Sequence, residues 1–124
     1  MRRVLVIDDQ PDISETIAAT LSIVARWEVL TANTGEEGVR LAAEQSPDCI
    51  LLDVMMPDLD GPATLRRLKS NAQTARVPVI FLTSKAQISE QEELGRIGAA
   101  GVLTKPFDPL QLGQQISNIL GWSE

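Results

Sequence analysis

Val4-Leu5-Val6-Ile7-Asp8-Asp9 sets four consecutive apolar, β-favouring residues directly before two carboxylates. An unbroken apolar run of this length suits a strand buried on both faces, as in a parallel sheet covered by helices. Three more runs have the same character: Cys49-Ile50-Leu51-Leu52, Val79-Ile80-Phe81-Leu82 and Gly101-Val102-Leu103. A fifth segment, Glu28-Val29-Leu30-Thr31-Ala32, is more polar and belongs at a sheet edge.

The intervals between these runs carry helix start signals. Asp12 with Glu15, Thr34 with Glu37, Ser89 with Glu92 and Asp108 with Gln111 all have capping-box spacing, in which a side chain satisfies a first-turn backbone donor. Past Asp12, residues Ile13, Ile17, Leu21 and Val24 fall on one helix face. Past Asp108, Pro109 suits the first helical position, and Leu110, Ile116, Ile119 and Leu120 supply an apolar stripe. Asp60-Gly61-Pro62 opens the remaining helix, with Leu65 and Leu68 inward, and Gly98 ends the fourth. The order is β-α five times, with connections that fit only crossovers onto a parallel sheet. At 124 residues the chain reads as one domain.

Composition removes several functional classes. Seventeen Asp plus Glu against eleven Lys plus Arg give a net charge of −6, which repels a nucleic-acid backbone rather than neutralising it. No stretch approaches the ~20 uncharged apolar residues of a membrane span. Cys49 stands alone and begins a buried strand, so it reads as a small core residue, with no disulfide framework. The short apolar segment after Met1-Arg2-Arg3 makes no secretory signal, and the expected location is cytoplasmic. Histidine is absent. That excludes Ser-His-Asp and Cys-His catalysis and a structural zinc site, leaving carboxylate, hydroxyl and amine chemistry suited to hard cations and phosphoryl groups.

Asp8 and Asp9 follow the first run, Asp53 ends the third, Thr83 ends the fourth, and Lys105 follows the fifth. In an open parallel sheet the carboxyl ends of the strands share one rim, where ligands bind. Three carboxylates gathered there need a compensating cation, and an all-oxygen set favours Mg²⁺. With Lys105 and Thr83 on the same rim, the inventory fits an aspartyl-phosphate site.

These segments, together with Leu51-Leu52-Asp53-Val54-Met55-Met56-Pro57-Asp58-Leu59-Asp60-Gly61, Phe81-Leu82-Thr83-Ser84 and Leu103-Thr104-Lys105-Pro106-Phe107, resemble the receiver domain of two-component response regulators. The resemblance covers the whole chain, 1–124, and implies a receiver without an output domain. It implies an α/β, flavodoxin-like, five-stranded parallel sheet of order 2-1-3-4-5 with five helices in a three-layer α/β/α sandwich. It further implies that Asp53 accepts a phosphoryl group from a phosphohistidine. Mg²⁺, or Mn²⁺ in its place, would sit on Asp9 and Asp53, with Asp8 acting through water and the Met55 carbonyl completing the protein ligands. Lys105 would pair with the phosphoryl and acidic groups, Thr83 would swing toward the phosphate beside the small Ser84, and Lys105-Pro106 would be a cis peptide. By the same analogy Met55 and Lys85 flank the approach of hydrolytic water and set how long the phosphoryl group survives.

One position departs from the family pattern: the fifth strand usually carries a Tyr or Phe that rotates with the threonine, and here it carries Val102. Without histidine of its own, the chain needs a histidine kinase or histidine phosphotransfer protein in trans. Expected output is docking of a protein target on the face of the fourth helix, fifth strand and fifth helix, or onward transfer of the phosphoryl group, with a phosphorylation-linked dimer left open. Two other functions compete. A haloacid-dehalogenase-type phosphatase would need a second Asp two residues after the nucleophile, where Met55 stands. A degenerate receiver would have lost an acidic residue, the acceptor or the lysine, all of which this chain keeps. The chain is therefore expected to catalyse only its own phosphorylation and dephosphorylation. Of its methionines, Met56 should be buried and Met55 exposed, and Trp27 and Trp122 should cover core edges at helix ends.

Overall fold

The computed structural model describes residues 2–56, 58–84, 88–105 and 107–122, and the side chains of all of these but 88–91. Five strands, β1 (Arg3–Ile7), β2 (Glu28–Ala32), β3 (Cys49–Asp53), β4 (Val79–Thr83) and β5 (Gly101–Thr104), alternate with five helices. These are α1 (Pro11–Thr20), extended by a π-helical turn at Leu21–Ala25, then α2 (Gly35–Gln45), α3 (Gly61–Ser70), α4 (Ile88–Arg96) and α5 (Pro109–Leu120). All strand pairs are parallel, in the order β2-β1-β3-β4-β5, so β2 lies at an edge as its polarity suggested.

The unbroken apolar runs serve two cores at once. Val4, Val6, Leu51, Ile80 and Leu82 point to the side of α1 and α5, where Ile17, Leu21, Leu112 and Ile116 meet them. Their neighbours Leu5, Ile7, Ile50, Leu52 and Phe81 point to the opposite side, against Ala42, Leu65, Leu68 and Leu94 of α2, α3 and α4. Successive strand residues face opposite ways, so a strand covered on both sides must be apolar at every position. Trp27 and Trp122 both join the α1/α5 side, edge-to-face at 5.3 Å, with the Arg2 guanidinium 4.1 Å over the Trp122 ring. Cys49 is fully buried in that core, and burial pushes its thiol up to about 12.

Three helix starts follow from their caps. Thr34 Oγ1 accepts from Glu37 N–H at 3.1 Å, Asp60 Oδ1 from Ala63 N–H at 2.8 Å, and Asp108 Oδ1 from Leu110 N–H at 3.0 Å. The expected box at Asp12 does not form. Pro11, preset in φ and lacking an N–H, takes the first helical position, so the cap is Gln10 and Asp12 lies in the first turn, where its charge suits the helix dipole. Ser89 likewise stands inside α4 rather than before it.

Two expected core residues turn out to be exposed. The π turn at Leu21–Ala25 places an extra residue in the helical repeat, which rotates Val24 outward and brings Ala25 against the core. Arg26 then closes the turn in the left-handed region, at φ 60°. On α5 the buried stripe runs through Leu112 and Ile116; Leu110, two residues before Leu112, falls about half a turn away and points to solvent.

Gly61 fixes how α3 meets the sheet. A Cβ there would lie 2.7 Å from the Asp53 carbonyl, 2.8 Å from Val54 Cα and 2.9 Å from the Phe81 ring. Its N–H donates to the Val54 carbonyl at 2.9 Å, so the loop after β3 doubles back over the strand end and is held there by backbone contact.

Candidate functional site

The carboxyl ends of β1, β3, β4 and β5 deliver Asp8, Asp53, Thr83 and Lys105 to one rim. Backbone bonds tie the ends together: Asp8 N–H donates to Ala32 O at 3.0 Å, Val54 N–H to Leu82 O at 3.1 Å, and Lys105 N–H to Thr83 O at 2.7 Å. Asp8 is fully buried and Asp53 nearly so. Lys105 Nζ lies 3.1 Å from Asp8 Oδ2 and 3.4 Å from Asp53 Oδ1. One ammonium therefore bridges two buried carboxylates.

Both acids are also held by the chain that follows them. Asp8 Oδ1 accepts from Gln10 N–H at 2.9 Å, and Asp53 Oδ1 accepts from Met55 N–H at 3.5 Å. Each is an acceptor two residues ahead of its donor, the geometry by which an Asp turns the backbone after a strand. Among the described residues, no buried side-chain polar atom lacks a partner.

Asp9 completes the acidic set. One carboxylate oxygen from each of Asp8, Asp9 and Asp53 lies within 4.8 Å of the others. Burial pushes the Asp53 carboxyl above its ordinary value, and the neighbouring Asp8 charge adds to that. Lys105 and the Met55 N–H pull the other way without cancelling it. Three hard anionic donors against a single ammonium leave the rim short of positive charge, which fits a divalent cation with oxygen ligands.

A cleft of about 360 Å³ opens over this cluster, lined by Asp9, Gln10, Asp53, Met55, Ser84 and Lys105. Met55 is exposed at its mouth and Met56 is buried, as expected. Thr83 is buried at the end of β4, in register with Thr104 of β5, while Ser84 is exposed. Val102, opposite Phe81 in the register, is partly buried against the α2/α3/α4 side of the core. The expected roles of Lys85 and Pro106 concern positions outside the described residues.

Two features escaped the sequence reading. The Gln10 backbone belongs to the site although its side chain carries no obvious chemistry; the two-residue offset from Asp8 was the available signal. Beside the cleft lies a mainly apolar hollow of about 500 Å³ between the start of α1 and the start of α5, lined by Ile13, Thr16, Ser84, Lys105, Phe107 and Pro109 among others. In the sequence Phe107 and Pro109 stand only as motif and helix-start residues.

The family model for the response regulator receiver domain matches residues 4–117. Protein PilH of Pseudomonas aeruginosa is 38% identical over 120 residues, covering 97% of this chain and 98% of that protein. The DNA-binding dual master transcriptional regulator RpaA of Synechocystis is also 38% identical over 120 residues, but the chain spans only 49% of its length. Among solved structures, the chemotaxis protein CheY4 of Vibrio cholerae is similar, with a TM-score of 0.89 and 31% identity over 96% of this chain and 98% of that one. The receiver domain of sensor histidine kinase PA1611 from P. aeruginosa, described with a magnesium ion coordinated in its active site cleft, has a TM-score of 0.84 and 30% identity, covering 97% and 98% of the two chains.

Proposed function

The chain belongs to the response regulator receiver domain family of two-component signalling, and on that premise we propose that Asp53 is a phosphoryl acceptor whose modification switches the domain. The observation that carries this reading is the bridged cluster, in which Lys105 contacts both Asp8 and Asp53 while Asp9 closes the acidic set.

In this reading an Asp53 carboxylate oxygen attacks the phosphorus of a phosphohistidine. The N–P bond breaks, its electron pair returns to the imidazole, and an acyl phosphate forms. The donor histidine belongs to a histidine kinase or a histidine phosphotransfer protein, because the chain has none. Asp9 and Asp53 would hold Mg²⁺ directly, with Asp8 through water and the Met55 carbonyl as a further ligand; Mn²⁺ suits the same donors. The metal supplies positive charge for the phosphoryl oxygens. Lys105 keeps the acceptor carboxylate oriented and later pairs with a phosphoryl oxygen, and the Thr83 hydroxyl turns toward the phosphoryl group past the small Ser84.

The phosphorylated domain then signals by docking a protein target on the face of α4, β5 and α5, or hands its phosphoryl group onward. It turns over no independent small substrate, and the proposed compartment is the cytoplasm. Among the described residues no helix is long and apolar enough to cross a membrane.

Incubation with acetyl phosphate, with and without Mg²⁺, tests the reading by intact mass. One phosphoryl adduct that needs Mg²⁺ and is lost in Asp53→Asn is the expected result. Absence of an adduct in the parent, or its persistence in Asp53→Asn, would overturn it.

A further inference from the structure

The chain leaves β3 at Asp53 and enters α3 at Gly61. What holds the loop between them decides where the Met55 carbonyl, two residues past Asp53, comes to rest. Three contacts hold its inner side. Val54 N–H donates to Leu82 O at 3.1 Å, Gly61 N–H donates to Val54 O at 2.9 Å, and the Met56 side chain is buried in the core shared by α2, α3 and α4. Asp60 is committed to the α3 cap at Ala63.

The outer side is held at the start of α2. Asp58 Oδ1 accepts from the Gly35 N–H at 3.5 Å, across 23 residues of sequence. Slight burial raises the Asp58 carboxyl, but the backbone N–H groups of Leu59, Gly35 and Glu36 outweigh it and hold the group below its ordinary value. Leu59 is seated on the same glycine. A Cβ on Gly35 would lie 2.9 Å from both Leu59 Cβ and Leu59 O, and 2.5 Å from Thr64 Oγ1. The Thr64 hydroxyl in turn donates to the Leu59 and Asp60 carbonyls, at 3.3 and 2.9 Å. Only glycine lets the loop approach α2 this closely.

Asp58 is exposed and stands outside the group of three acids at the rim, so its carboxylate serves the α2 backbone. The ion pair that also links α2 to α3, Glu36 with Arg67 at 3.6 Å, is exposed on both sides and contributes little. Mg²⁺ demands near-ideal octahedral geometry and tolerates little error in a ligand's position. Residues that orient a metal ligand without touching the metal are therefore felt in its affinity.

We propose that Asp58 is a positioning residue for the cation site: its carboxylate, with Leu59 seated on Gly35, clasps the loop after β3 to α2 and so fixes the Met55 carbonyl as a ligand. The proposal rests on the reading that Asp9, Asp53 and the Met55 carbonyl hold Mg²⁺.

Calorimetric titration of the full chain with Mg²⁺ tests it, without phosphodonor and at about 0.15 M salt, where exposed charges beyond roughly 8 Å are screened. Asp58→Ala removes both the acceptor and the charge. Asp58→Asn removes the charge alone, since an amide oxygen still accepts the Gly35 N–H. Asp58→Ala should weaken Mg²⁺ binding about fivefold, short of the roughly 10–100-fold loss usual for a group bonded directly to a metal ligand. Asp58→Asn should stay within about twofold of the parent. A purely structural role would lower the melting temperature and leave the dissociation constant of the folded protein unchanged, so both are measured. Equal weakening in the two variants would assign the effect to charge and overturn the clasp, as would parent-like binding by Asp58→Ala. A parent that binds no Mg²⁺, or that binds it no better than Asp9→Asn does, would overturn the reading of the site itself and this proposal with it.

Discussion

The Lys105 ammonium stands 3.1 Å from Asp8 Oδ2 across 97 residues of sequence, joining the end of an edge strand to the end of β1. Asp8 is fully buried, while the lysine side chain keeps a small exposed fraction. Removing one partner of such a pair leaves an uncompensated charge in the interior. Lys105→Ala should therefore cost about 2 kcal/mol of metal-free stability, less than a wholly buried pair because water reaches the ammonium. Urea unfolding checks this, and added Mg²⁺ should recover part of the loss by supplying the missing positive charge. A variant as stable as the parent without metal would show that Asp8 is compensated elsewhere.

The raised pKa of Asp53 has a definite sign in the pH dependence of stability. Burial, then the Asp8 charge, makes the folded carboxyl hold its proton at a pH where the unfolded one, at 3.8, has lost it. The native state binds more protons across that window, so this contribution is fully present below pH 3.8 and is lost as pH rises through the folded value. At neutral pH the ionised Asp53 costs stability. Asp53→Asn should raise the metal-free melting temperature at pH 7, and the gain should shrink as pH falls toward 3.8. Thermal scans of both proteins across that range measure it, and a gain that does not vary with pH would contradict the cause given.

Asp9 tests the acidic cluster without touching Asp53. Its carboxylate belongs to the group of three within 4.8 Å and lines the cleft. Like-charge repulsion falls when one of three is neutralised. Asp9→Asn should melt higher than the parent without metal and lose the upward shift that Mg²⁺ gives the parent. An unaltered Mg²⁺ response would place the cation elsewhere.

Gly61 links packing to the site through the backbone. Any Cβ at this position runs into the Asp53 carbonyl and Val54 Cα, neither of which can swing aside as a side-chain tip can. Gly61→Ala should destabilise the domain by about 2 kcal/mol, in the usual range for overpacking. It should also slow phosphorylation by acetyl phosphate, because relief requires moving the strand end that carries Asp53. Wild-type kinetics in a destabilised variant would show that the loop yields instead of the strand.

The fold was legible in the sequence because doubly covered strands must be apolar at every position, a pattern no solvated strand shows. The Val4–Ile7, Cys49–Leu52 and Val79–Leu82 runs mark buried strands by themselves, whereas the strand order 2-1-3-4-5 is implied by the family resemblance and is not fixed by the hydrophobic pattern. The convergence of Asp8, Asp9, Asp53 and Lys105 was legible for a related reason: every strand of a parallel sheet ends at the same rim. What failed was helix phase. Val24 and Leu110 were assigned inward by counting 3.6 residues per turn from a neighbouring start, but a π turn and a shifted stripe are decided by packing against Trp27, Ala25 and Gly113. The Asp12 cap failed because Pro11 competes for the first helical position, and a box motif two residues further on cannot override a fixed φ.

Met55 bears on how long a phosphorylated state would persist. It is 63% exposed and forms part of the cleft wall with Asp53, Ser84 and Lys105, while its N–H reaches Asp53 Oδ1. Hydrolysis of an aspartyl phosphate needs a water aligned opposite the leaving carboxylate. A polar side chain two residues after the acceptor can hold that water by hydrogen bonding, whereas a thioether is a weak acceptor with no donor. The backbone N–H contact and the loop geometry survive a change of side chain, so Met55→Asn alters the wall chemistry and little else. After removal of donor, the phosphorylated Met55→Asn protein should lose its label severalfold faster than the parent, with the melting temperatures of the unphosphorylated proteins equal within a degree or so, as expected for an exposed substitution. Decay followed by intact mass decides it: an unchanged or slower rate would mean that water is positioned by groups other than the residue at 55.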